Sequence, residues 1–118
     1  MRLILENEKA IGFIKSRKSD LRVMDMSAQM YQFAHRNKLK LMDVIVDQKA
    51  DLDVDRPVIN ALMDVIETGK CSLILIRSIN DITDDIDEQK HFLDQVHYVG
   101  GKLISIYEGV IDCNYDAC

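Results

Sequence analysis

SLILIRSINDITDD, residues 72–85, is the stretch that decides the fold. Leu73, Ile74, Leu75 and Ile76 form an unbroken apolar run between Ser72 and Arg77. A strand wetted on one face alternates apolar and polar residues, whereas a short continuous apolar run reads as a strand covered on both faces. Such strands belong to mainly parallel sheets with helices on either side. In an open sheet of that kind, ligands and chemistry sit beyond the carboxyl ends of the central strands. The polar residues that follow, Asn80, Asp81, Asp84 and Asp85, are therefore placed at the floor of any site.

Outward from this strand, the chain alternates strand and helix patterns. Residues 9–16 read as the first core strand, with Ile11, Phe13 and Ile14 apolar. Residues 17–26 read as a loop. Residues 27–37 read as a helix, with Met30, Phe33, Ala34 and Asn37 on one face and Ser27 as its cap. A second strand is predicted over residues 40–47. Residues 48–55 then read as an acidic loop. Asp51, Asp53 and Asp55 alternate there, but Arg56 and Leu62 stand where a calcium loop needs glycine and glutamate, so these are read as solvated carboxylates.

Asp55, Pro57 and Gly69 bracket the next helix as cap, first-turn residue and stop. Its inward stripe is Ile59, Leu62, Met63 and Ile66. After the central strand, residues 84–99 read as a helix with Ile86, Leu93, Val96 and Val99 inward. The carboxylates at its start complement the helix dipole. Residues 102–107 form a fourth strand, and Val110–Ile111 is a candidate short fifth. Residues 2–5 are a candidate edge strand. The order β-α-β-α-β-α-β requires a mainly parallel sheet with helices on both faces.

Composition bounds the class. A chain of 118 residues is one domain, and at 47% hydrophobic it supplies one packed core. No stretch approaches the roughly 18 apolar residues of a membrane span. The start, MRLILENEK, lacks a secretory signal, so a cytoplasmic protein with no membrane partner is expected. Cys71, Cys113 and Cys118 show no CxxC spacing and read as reduced thiols. His35, His91 and His97 fit no HExxH ligand set. No cofactor is implied.

Charge is unevenly spread. Residues 1–40 hold nine Lys/Arg against four Asp/Glu, while the remainder holds six against sixteen. Only the first third offers a basic face to nucleic acid, so DNA binding is expected to be weak or absent. Its candidates are Lys15, Arg17, Lys18, Arg22 and Arg56.

Four motifs stand in one order: GFIK at residues 12–15, DRP at 55–57, LILIRSI at 73–79 and YEGVID at 107–112. Together they resemble the catalytic domain of the serine recombinases, the resolvase/invertase family. The resemblance implies a three-layer α/β/α resolvase-like fold, with a mainly parallel sheet of four to five strands and a short antiparallel edge strand. It divides the single domain, residues 1–118, into an extension (1–8), a core (9–112) and a tail (113–118). The family cleaves and rejoins DNA through a serine at the end of the first strand, with arginines on the scissile phosphate.

At those positions this chain departs from the family. Phe13 falls on the family tyrosine, Lys15 on an arginine and Arg17 on the nucleophilic serine. Asp81 and Asp84 fall on two phosphate-binding arginines. Arg56, in the DRP motif, is the family arginine retained. Ser16 and Ser19 lie near the nucleophile position but out of frame, and a one-residue slip turns a strand side chain to the other face.

The implied function is a recombinase-like domain without strand-exchange activity, a binding or regulatory module whose partner is another recombinase-like chain or itself. Two alternatives stand beside it. One is an active recombinase or nickase with a rearranged site, using Ser16 or Ser19 with Lys15 and Arg56. The other is a flavodoxin- or receiver-like module binding a small molecule, or a metal at Asp81, Asp84 and Asp85.

Overall fold

The structure, a computed structural model, describes residues 8–15, 20–47, 57–107 and 109–111. Its elements in chain order are β1 (Glu8–Lys15), α1 (Asp20–Arg36), β2 (Leu39–Asp47), α2 (Pro57–Glu67), β3 (Leu73–Ile76), a 3-10 turn (Ile79–Asp81), α3 (Ile86–Tyr98), β4 (Lys102–Ser105) and β5 (Gly109–Ile111). The sheet order is β2-β1-β3-β4-β5. The first four strands are mutually parallel, and β5 pairs antiparallel with β4, Ile104 opposite Val110. The expected parallel sheet and its antiparallel edge strand are both present. The candidate edge strand at residues 2–5 lies outside the described residues.

β3 is central, and all four of its residues are fully buried. Its side chains alternate between two cores. Leu73 and Leu75 join Ala10, Ile14, Met30, Ala34 and Ile104 beneath α1. Ile74 and Ile76 join Phe13, Leu62, Phe92, Val96 and Leu103 beneath α2 and α3. A leucine or isoleucine so buried contributes roughly 1.5–3 kcal/mol, which is why four in succession lock this strand between the helical layers. No helix among the described residues is long and apolar enough to cross a membrane.

Three local expectations need correction. α1 begins at Asp20, so residues 20–26 are helix rather than loop. Met26 is 8% exposed and continues the inward row of Met30 and Ala34 back by one turn. Asn37 is exposed rather than inward. It lies just beyond the helix and closes it, its Nδ2 donating to the Phe33 carbonyl at 2.8 Å, while Lys38 takes a left-handed φ of 58°. Ile86 is 63% exposed, because Asp85 is the cap of α3 and Ile86 its first, outward residue. The inward place one turn on is held by Gln89, 4% exposed.

Candidate functional site at the carboxyl edge of the sheet

The chain leaves β1 for β2 on one side and returns through α2 to β3 on the other. That reversal between β1 and β3 makes their carboxyl ends the topological switch point, the crevice where open α/β sheets bind ligands. Lys15 ends β1 there, in register with Asp47 at the end of β2. Lys15 Nζ lies 3.3 Å from Asp47 Oδ2, and the two side chains are only 11% and 5% exposed. The cation and carboxylate thus neutralise each other in a largely desolvated place, where such a pair is costly to break.

On the other side of the switch point, Arg77 follows β3. Its Nη2 donates to the Tyr107 hydroxyl at 2.7 Å, and its guanidinium lies 5.5 Å from the centre of the same ring. Ser105, fully buried, donates to the Arg77 carbonyl at 2.9 Å. These contacts fix the exit of β3 against β4. The motif loop then closes into the 3-10 turn. Ser78 caps it, its Oγ accepting from the Asn80 amide.

Asp81 is half-buried in this turn, whereas Asp84 and Asp85 are exposed. Asp85 accepts the Glu88 amide proton at 3.1 Å, the ordinary work of a helix cap. Thr83 Oγ1 donates to Glu88 Oε1 at 3.2 Å and accepts from the Asp85 amide. Gln89 ties the loop down from within, donating to Asn80 Oδ1 at 3.0 Å and to the Thr83 carbonyl at 2.7 Å. The loop that carries Asp81 and Asp84 is thus a braced structure.

The described residues hold Lys15, Arg22, Asp81, Asp84 and Asp85 of the sequence-derived candidates. Ser16, Arg17, Lys18, Ser19 and Arg56 lie outside them. Arg22 sits exposed in the first turn of α1. Among the described residues, no group of three or more His, Cys, Asp or Glu side chains is arranged to hold a metal ion. Cys71 is buried, and burial raises its thiol above its ordinary value of 9.0, opposed in part by Lys9. That environment suppresses thiolate and makes this cysteine a poor redox centre.

Sequence reasoning missed the roles of four of these residues. The pairing of Arg77 with Tyr107 joins positions 30 apart that meet because β3 and β4 are adjacent. Gln89 was hidden by its polar type. Ser105 occupies a place in β4 that its register opposite Ile76 marks as interior.

The class this architecture defines is a three-layer α/β/α domain with an acidic loop at its switch point. Its particular fold is that of serine-recombinase catalytic domains. The N-terminal catalytic domain of TP901-1 integrase superposes with a TM-score of 0.73 at 16% identity, over 86% of this chain and 79% of that one. The C-terminal catalytic domain of ISC1926 TnpA, an IS607-like serine recombinase, gives 0.70 at 16% identity, over 83% and 69%. A resolvase family site-specific recombinase from Streptococcus pneumoniae gives 0.68 at 19% identity, over 93% and 78%. No protein-family model and no curated protein matches this sequence. The likeness is therefore one of fold.

Proposed function

We propose that this domain keeps the recombinase fold without the recombinase reaction. It acts as a binding or regulatory module toward another recombinase-like chain or a second copy of itself. The observation that carries this reading is the Lys15–Asp47 pair. Catalysis of phosphoryl transfer by this fold depends on cations aimed at the developing charge on phosphorus. Lys15 stands where such a cation belongs, and it is held 3.3 Å from a buried carboxylate.

The loop after β3 strengthens the reading. Asp81 and Asp84 present negative charge where the family resemblance implies arginine, and a carboxylate repels a phosphate that arginine attracts. Loss of one stabilising contact costs about 10²–10³ in rate. Here two are reversed in sign, and Arg17 stands in place of the serine. Lys15 lacks the planar fork with which arginine grips a phosphate.

The test is covalent capture. Suicide-substrate DNA is incubated with the protein and adducts are resolved on a denaturing gel. No adduct is expected from the unmodified chain, nor from Arg17→Ser alone, because the phosphate-binding cations are still missing. An adduct formed by the unmodified chain and abolished by Ser16→Ala or Ser19→Ala overturns the proposal in favour of an active, rearranged enzyme.

A further inference from the structure

Arg77 stands just past the carboxyl end of β3, beside the switch point, and the backbone sets its place. The ladder between β3 and β4 runs on beyond both strands. The Ile106 amide donates to the Ile76 carbonyl at 2.9 Å, and the Tyr107 amide to the Arg77 carbonyl at 3.1 Å. Ser105 Oγ donates to that same carbonyl at 2.9 Å. The two side chains are held together in turn, Arg77 Nη2 donating to the Tyr107 hydroxyl at 2.7 Å.

What this pair leaves unused points to a ligand. A guanidinium carries five N–H donors, and Arg77 spends one of them on a neutral hydroxyl. Lys15 is matched by Asp47, but no carboxylate among the described residues bonds to Arg77. The Tyr107 oxygen accepts from Arg77, so its own proton is turned elsewhere, and no described residue accepts it. Arg77 is half-buried, whereas Tyr107 is 64% exposed. A fixed cation and a fixed O–H donor thus lie side by side with an opening to solvent. Donors positioned in advance lose less freedom when they bind.

We infer that Arg77 and Tyr107 form a subsite for a carboxylate brought by a ligand from outside the domain. The two oxygens of a planar carboxylate match two parallel N–H groups of the guanidinium. The Tyr107 hydroxyl donates to one of the same oxygens. The surroundings select this anion over phosphate. Asp81, Asp84 and Asp85 follow in the loop after Arg77. A phosphate group carries up to about twice the charge of a carboxylate at pH 7, so their repulsion weighs up to about twice as heavily on it. A free carboxylic acid and an acidic side chain of a partner protein offer the same chemistry, and the test separates them.

The subsite does not depend on the absence of strand exchange, since adduct capture reports serine chemistry and anion titration does not. The experiment is an NMR titration of the full, ¹⁵N-labelled chain with acetate. Ionic strength is held at about 0.1 M with chloride, where the screening length is about 10 Å. The expected result is a saturable shift of the Arg77 Nε–H and Tyr107 amide signals in the millimolar range, with phosphate binding more weakly than acetate. Arg77→Gln should weaken acetate binding at least about tenfold, and Tyr107→Phe about fivefold through loss of one donor. Arg36→Gln, an exposed arginine in the last turn of α1, should leave it unchanged.

An unchanged thermal transition verifies that Arg77→Gln folds. If it does not fold, Tyr107→Phe carries the test, because it removes a single hydroxyl from an exposed side chain. A blocked peptide with one glutamate then identifies the source. Affinity at least about tenfold above that of acetate assigns the subsite to a partner protein's side chain, and equal affinity assigns it to a free acid. Both results bear out the subsite. Absence of a saturable shift overturns the inference. So do phosphate binding tighter than acetate, acetate binding unweakened by Tyr107→Phe, and an Arg36→Gln effect as large as that of Arg77→Gln.

Discussion

Lys15 and Asp47 show how much a single register position decides. Lys15 closes a strand whose preceding residues are buried, so its ammonium has little water to reach. Asp47 meets it because β1 and β2 run parallel with their last residues in register. Had β2 run antiparallel, its carboxyl end would lie at the far edge. Removing one partner breaks an ion pair held in a largely desolvated place. Asp47→Ala should therefore lower stability by about 3 kcal/mol, whereas Lys15→Met with Asp47→Leu should be near neutral. Chemical denaturation of the three proteins measures both. A single variant as stable as the double would show that the pair is solvated in practice.

The helices show where the sequence was legible and where it was not. The stripe of α2 could be read directly, because Ile59, Leu62 and Ile66 are large, apolar and all buried. The first two turns of α1 could not. Leu21 and Met24 are apolar but face outward, so they blur the inward stripe marked by Met26, and Arg22 and Asp25 make the segment look like loop. The α3 start misled for a related reason: Ile86 is apolar yet outward, while Gln89 is polar yet inward.

The end of α3 gives a sharper test of packing. A Cβ on Gly101 would lie 2.8 Å from Ile66 Cγ2 and 3.1 Å from Val96 Cγ1, so α3 and α2 would have to separate there. Gly69 differs: its φ is +78°, but a Cβ there meets nothing within 4 Å. Gly101→Ala should cost about 2 kcal/mol through overpacking, and Gly69→Ala about 1 kcal/mol through backbone strain alone. Urea midpoints rank the two, and the reverse order would refute the packing argument.

At the scale of the whole molecule, the fold came out of the sequence through the period of its strands, but the candidate site came out only in part. A strand buried on both faces announces itself in four residues. A site made of Lys15 with Asp47, and Arg77 with Tyr107, depends on which strands lie side by side, and residue spacing does not carry that. Charge does carry over to the whole. The net charge of −5 is split into a basic first third and an acidic remainder, so contact with DNA is expected mainly from that basic third. About three phosphate contacts there give a slope near −2.7 in log affinity against log salt, or a loss of about 40-fold between 50 and 200 mM. The binding should be independent of sequence, since phosphate contacts carry no sequence information. Fluorescence anisotropy with a labelled duplex over a range of salt reads the slope. Nanomolar affinity at about 150 mM salt, where charges are screened beyond about 8 Å, would contradict the acidic loop as a barrier to DNA and return weight to a nucleic-acid function.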